Sequence, residues 1–133
     1  MDEPLDRPLE GPLGGRSILI VEDDSVLATD LTALLTAAGA RVVLPTTSVG
    51  AALSTVVHYP VDVAILDVNV QDEWVFPVAH ALAAAGIPFL FLTAYALDSI
   101  PPEHRRRPFF NKPHVPRILL AATAEMLAGS PPE

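Results

Sequence analysis

The run Val61-Asp-Val-Ala-Ile-Leu-Asp67 constrains the fold more than any other stretch of this 133-residue chain. Apolar residues at Val61, Val63, Ala64, Ile65 and Leu66 lead straight into an acid and then a polar segment, Asn69-Val-Gln-Asp-Glu73. An apolar run of this length, bounded by turn residues, reads as a strand buried on both faces. Such burial implies a parallel sheet with helices above and below it. Ligands gather at the carboxyl ends of the strands in these sheets. Asp67 stands at that end, where a carboxylate serves as a ligand, a nucleophile or a helix cap.

The rest of the chain repeats the pattern. Ser17–Val21 is a first buried strand, ending in Glu22-Asp23-Asp24. Leu27, Leu31, Leu34, Leu35 and Ala38 recur at helical spacing, and Gly39 stops that helix. Arg41–Leu44 forms a second strand closed by Pro45. Thr47 or Ser48 caps a second helix with Val49, Ala52, Leu53, Val56 and Val57 on one stripe. After Asp67, a third helix carries Val75, Val78, Ala79 and Leu82, with Pro77 in its first turn and Gly86 as its stop. Ile87–Thr93 is a fourth strand ending in a hydroxyl, and Phe109–Asn111 a short fifth one leading to Lys112-Pro113. Pro116 opens a last helix with Val115, Ile118, Leu119, Ala122 and Met126 inward. Between residues 94 and 108 no clean period appears, and Pro101-Pro102 predicts at most a turn or two of mobile helix. Strands alternating with helices define a three-layer α/β sandwich around a parallel sheet.

Composition narrows the function classes. One domain fits this length, with residues 1–16 a disordered Pro/Gly-rich leader, 17–129 the domain and 130–133 a tail. A net charge of −8 argues against nucleic-acid binding. No cysteine is present, which excludes disulfide and thiol chemistry. The low-charge stretch Val78–Leu97 is cut by Gly86-Ile87-Pro88, so it reads as a buried helix and strand and not as a membrane span. With no signal peptide evident, the expected location is cytoplasmic.

Four strand ends carry polar groups that the strands do not need: Glu22 with Asp23, Asp67, Thr93 and Lys112. A parallel sheet brings these ends to one edge. Carboxylates so gathered repel and stay ionised only beside a cation, and hard oxygen ligands suit Mg²⁺. Carboxylate, divalent metal, ammonium and hydroxyl are the parts that phosphoryl transfer to an aspartate requires.

The segments Ile18–Asp24, Ile65–Asn69, Leu92-Thr-Ala94 and Asn111-Lys-Pro113, in order and at near-normal spacing over residues 17 to 128, resemble the CheY-like receiver domain of two-component response regulators. The resemblance implies a flavodoxin-like, doubly wound, five-stranded (βα)5 fold, here with a shortened or irregular fourth helix. It implies Asp67 as phosphoacceptor, Asp23 as acidic ligand to Mg²⁺, Glu22 acting on the metal through water, and Asn69 offering its backbone carbonyl. Thr93 would bind a phosphoryl oxygen and Lys112 pair with it, next to a cis Lys112–Pro113 bond. Phe109 stands where receivers carry a switch aromatic, and Tyr95 where dephosphorylation is tuned. Thr93-Ala-Tyr95 and Ile100-Pro101, in a shortened segment, resemble stand-alone receivers associated with HWE-type histidine kinases.

The function so implied is a single-domain response regulator, a phosphoprotein of a phosphorelay and not an enzyme in the usual sense. It would take phosphate from a histidine kinase or phosphotransfer protein and lose it slowly by autodephosphorylation. A downstream protein partner or a phosphate-sink role follows, without nucleic acid or membrane, as a monomer or weak dimer. Two alternatives use the same residues. A phosphorylation-independent interaction module would not need the acids. A haloacid-dehalogenase-type phosphatase needs an acid two residues after the nucleophile, where Asn69 stands. Asp24 is assigned to capping, Trp74 to local packing, and Arg105-Arg-Arg107 to a solvated run. His58, His80, His104 and His114 show no metal-ligand spacing and are assigned no role.

Overall fold

The computed structural model describes residues 11–128. Chain order is β1 (Ser17–Val21), α1 (Ser25–Ala37), β2 (Val42–Thr46), α2 (Val49–His58), β3 (Val63–Leu66), β4 (Asn69–Val70), β5 (Glu73–Trp74), α3 (Phe76–Ala84), β6 (Phe89–Thr93), β7 (Phe109–Asn111) and α4 (Pro116–Ala128). Five strands form one parallel sheet in the order β2-β1-β3-β6-β7. This is the doubly wound flavodoxin-like topology that the resemblance to receivers implies, and a parallel sheet of the kind the alternation of elements implies.

Each central strand faces two cores, because successive side chains leave a strand on opposite sides. Leu19, Val21, Ala64, Leu66, Phe89 and Phe91 point to the face covered by α2 and α3. Ile18, Ile20, Val63, Ile65, Leu90 and Leu92 point to the face covered by α1 and α4. The apolar runs of β1, β3 and β6 are thus consumed on both sides, which is why they do not alternate with polar residues.

Several expectations need correction. Gly11–Arg16 is not a free leader: Leu13 is fully buried in the α1/α4 core, and its N–H donates to the carbonyl of Ala38 at 3.0 Å. Gly11, with φ near +104°, makes that approach possible, since a Cβ there would lie 2.5 Å from the same carbonyl oxygen. The Pro-Leu pairs at 4–5 and 8–9, and the tail from residue 129, lie outside the described residues.

Pro45 does not close β2 but lies inside it. The strand is an edge, and Thr46 accepts from Glu22 N through its carbonyl, so Pro45, one residue earlier, turns its nitrogen away from the sheet. On α4 the inward stripe is Leu119, Thr123 and Met126, while Val115 and Ile118 are nearly half exposed. Val57 of α2 is exposed as well. The polar segment after Asp67 is a two-residue hairpin: β4 and β5 pair antiparallel around Gln71 and Asp72, which both hold positive φ.

The crossover from β6 to β7 contains only 3-10 turns at Leu97–Ser99 and Pro102–His104, as the prolines lead one to expect. Ile100 and His104 are its two buried side chains between residues 94 and 107. Two of the three arginines brace it and are not simply solvated. Arg105 Nε donates to the Ile100 carbonyl at 2.7 Å, and the Arg107 guanidinium lies 4.2 Å from the Phe89 ring centroid.

Candidate phosphoacceptor site

The carboxyl ends of β1, β3, β6 and β7 meet at one edge of the sheet, and the four polar strand ends meet with them. Glu22, Asp23 and Asp67 each bring a carboxylate oxygen within 4.8 Å of the other two. Glu22 and Asp67 are buried and Asp23 is exposed. The Lys112 ammonium lies between the buried pair, 2.8 Å from Glu22 Oε1 and 2.9 Å from Asp67 Oδ2. The Lys112–Pro113 peptide bond is cis.

Backbone donors hold the acids further. Asp24 N–H donates to Glu22 Oε2 at 3.0 Å. Gln71 N–H, at the hairpin tip, donates to Asp23 Oδ2 at 2.7 Å. Asp24 itself caps α1 by accepting from the amides of Val26 and Leu27, as assigned from sequence.

Burial pushes Glu22 above the usual carboxylate range, and the neighbouring charge of Asp67 adds to this, against the hydrogen bonds from Lys112 and Asp24. Burial alone would lower Lys112, but the hydrogen bonds it donates to Glu22 and Asp67 outweigh this, and its pKa stands above the ordinary lysine value. One ammonium thus serves two acids. It favours its own charge strongly and offsets only part of what burial does to Glu22.

The hydroxyl of Thr93 is buried at the end of β6 and accepts from Tyr95 N–H at 3.2 Å. Its carbonyl receives Lys112 N–H at 2.9 Å and the Asn111 side-chain amide at 3.3 Å, which fixes β7 to the site. Asn69 opens the hairpin and pairs with Trp74. Tyr95 is exposed, with its ring edge-on to Trp74 at 5.4 Å, and Trp74 stacks on Phe76 at 5.9 Å. Phe109 lies apart from this group, half-buried against the α2/α3 core.

Two features of this structure escape a reading of motifs. The Gln71 amide that steadies Asp23 depends on a two-residue turn lacking the usual Asn-Gly signal. His80, Glu103 and His104 form a second cluster, more than twenty residues apart in sequence between the first and the others. Only the topology reveals it.

No family model matches the chain, and no curated protein matches it. Among solved structures, SdrG from Sphingomonas melonis Fr1 is 38% identical with a TM-score of 0.74, over 85% of this chain and 97% of that one. A CheY-like response regulator receiver domain protein from Methanospirillum hungatei JF-1 is 23% identical, with a TM-score of 0.77, over 86% of this chain and 95% of that one. The receiver domain of sensor histidine kinase PA1611 from Pseudomonas aeruginosa PAO1, solved with magnesium in its active-site cleft, is 22% identical with a TM-score of 0.76. That match covers 87% of this chain and all of the other. Fold and neighbours together define an α/β domain of the receiver type. The chain belongs to the CheY-like response regulator receiver family.

Proposed function

We propose that this receiver accepts a phosphoryl group on Asp67 from a histidine kinase or histidine phosphotransfer protein and passes the signal to a protein partner. The observation that carries this reading is the Lys112 ammonium held by two buried carboxylates, 2.8 and 2.9 Å away, at the mouth of a parallel sheet. An interaction module has no need of such a group. A phosphatase of the haloacid-dehalogenase type would need an acid at Asn69, which instead opens the hairpin.

The donor set fits a divalent cation. Asp23, Asp67 and the Asn69 carbonyl would hold it, and Glu22 would act through water. When bound, Mg²⁺ would offset the carboxylate repulsion and draw charge from the phosphoryl oxygens. Lys112 binds Asp67 Oδ2, which leaves Oδ1 to attack phosphorus. The new O–P bond forms as the P–N bond to the donor imidazole breaks, and the imidazole leaves with the electron pair. Lys112 then turns to a phosphoryl oxygen, and Thr93 donates its hydroxyl proton to another.

Drawing the Thr93 side chain toward the phosphoryl group pulls its oxygen away from the Tyr95 N–H that donates to it, so phosphate occupancy reaches the Tyr95–Trp74 pair on the hairpin. Phe109 and the short crossover repack in response, a change that needs only a small bias in a segment with so few buried side chains. A groove of about 700 Å³ between α1 and the Lys112-Pro113 segment, lined by Val26, Leu27, Leu34 and Pro116, suits docking of the phosphodonor protein. No helix among the described residues is long and apolar enough to cross a membrane, and the net charge is −8. Both fit a cytoplasmic protein that acts on proteins and not on DNA.

The test is incubation with acetyl phosphate and Mg²⁺, read by intact mass and by Trp74 emission. One phosphate is expected on the wild type, none on Asp67→Asn and none after chelation of Mg²⁺. Labelling that persists in Asp67→Asn overturns the assignment.

A further inference from the structure

Away from the acidic pocket, a second set of metal-ligating side chains meets where α3 faces the crossover. His80 projects from α3, and Glu103 and His104 belong to the second 3-10 turn. One ligand atom from each lies within 4.8 Å of the other two. His80 Nε2 is 3.9 Å from Glu103 Oε2, and the two imidazole centroids are 4.8 Å apart.

The independent observation is His104 itself. It is only 3% exposed, yet among the described residues neither ring nitrogen has a hydrogen-bond partner. Buried polar side chains are almost always paired, and a buried imidazole with both nitrogens unpaired is a group prepared for something else. Burial also holds His104 below the ordinary histidine range, with His80 and Arg107 adding to this against Glu103. The neutral imidazole that results is the form a metal binds.

We infer that His80, Glu103 and His104 form a transition-metal site of the zinc class that clamps the crossover onto α3. Two imidazoles and one carboxylate, with a fourth position left to water, are a familiar Zn²⁺ donor set. Imidazole donors disfavour Mg²⁺ and Ca²⁺, so the site and the acidic pocket select different ions. Four-coordinate Zn²⁺ sets its ligand atoms about 3.4 Å apart, given Zn–N bonds near 2.1 Å. The trio must therefore close by about an ångström. The side chains of His80 and Glu103 are 53% and 58% exposed, which leaves them room to turn, and the turn that carries Glu103 is short.

Arg107, seated over Phe89, opposes a nearby cation, while Glu103 offsets it. The clamp would fix the segment that joins Thr93 to Phe109. A metal other than Mg²⁺ would thereby stiffen the element that the phosphoryl group must move.

The test uses the whole chain, stripped by chelator and then saturated with Mg²⁺ so that the acidic pocket is occupied. Zn²⁺ is titrated by calorimetry and Co²⁺ by visible absorption. One equivalent is expected to bind, and His80→Ala and Glu103→Gln should each weaken it by about a hundredfold, since even outer partners of a ligand cost ten- to a hundredfold. Asp67→Asn should leave it unchanged. Amides of residues 97–107 should exchange more slowly with Zn²⁺ in the wild type and not in His80→Ala. Equal affinity in His80→Ala, Glu103→Gln and wild type, or binding abolished by Asp67→Asn alone, overturns the inference. Neither result touches the reading of Asp67 as phosphoacceptor.

Discussion

The acidic pocket and the crossover between β6 and β7 bury polar groups against the same sheet by opposite means. In the pocket, Glu22 and Asp67 share one ammonium, and Thr93 accepts a backbone amide. In the crossover, His104 enters an aromatic wall, edge-on to Phe89 at 5.7 Å, with both nitrogens unpaired. An unpaired buried polar group costs about 1–3 kcal/mol, whereas a paired one is close to neutral. The pocket is therefore built to keep one geometry. The crossover, with 3-10 turns in place of a helix, is held by Ile100, His104 and two arginine braces, and has little to resist rearrangement.

The sharpest way to break this contrast is to remove the shared cation. Lys112→Met leaves two buried carboxylates without a counter-charge and should lower stability by about 3 kcal/mol, the low end for a broken buried pair because Lys112 keeps some contact with water. Urea unfolding measures this in chelator. Adding Mg²⁺ should restore more stability to Lys112→Met than it adds to wild type. Equal gains would mean that the carboxylates do not depend on Lys112 for their charge.

The converse substitution acts on the crossover. His104→Phe replaces an unpaired imidazole by a ring of similar shape and should raise the stability of the metal-free protein by about 1 kcal/mol. The same change should reduce acid sensitivity. Burial holds both His104 and His114 below the ordinary value of 6.5, so the unfolded chain binds more protons near and below that pH. Stability should then fall as pH drops from above 6.5 through the two folded pKa values, and level off below them. For His104 the groups in play are His80, Glu103 and Arg107, and for His114 they are Asp30 and Lys112. A fall of the same size in His104→Phe would assign the effect elsewhere.

The smallest effect lies where the two regions touch. Tyr95→Leu removes an exposed aromatic contact with Trp74 and should cost about 0.5 kcal/mol. Trp74 emission should shift at once, and its response to phosphorylation should shrink. An undiminished response would show that the hairpin senses phosphate without Tyr95.

What the sequence discloses and what it conceals follow the same division. Ser17–Val21 and Val63–Leu66 are legible because burial on both faces writes a continuous apolar run. Glu22, Asp67 and Thr93 are legible because each sits at or just after the end of such a run, and a parallel sheet leaves one place for strand ends to meet. Lys112, after the short and only partly buried β7, is legible by its Asn-Lys-Pro context. Pro101 and Pro102 announce the missing helix by chemistry alone. The docking of Leu13 is not legible, since one leucine among glycines and prolines has no period. The inward stripe of α4 slips because Thr123 is buried by bonding its hydroxyl to the Leu119 carbonyl, which hydropathy does not register. The meeting of His80 with His104 depends on where the crossover lies over β6, and no local pattern encodes that.

Pro45 carries a consequence for how copies of this protein behave at high concentration. An edge strand is a template on which another chain can lay a matching strand, and β2 is such an edge. With the Pro45 nitrogen directed outward, the exposed rim lacks an amide donor in the middle of the strand. A second strand aligned there would meet an interruption after one or two bonds. At the opposite rim β7 has only three residues, too few to seed a fibre. With both rims blunted in this way, the sheet offers a neighbouring copy little to pair with.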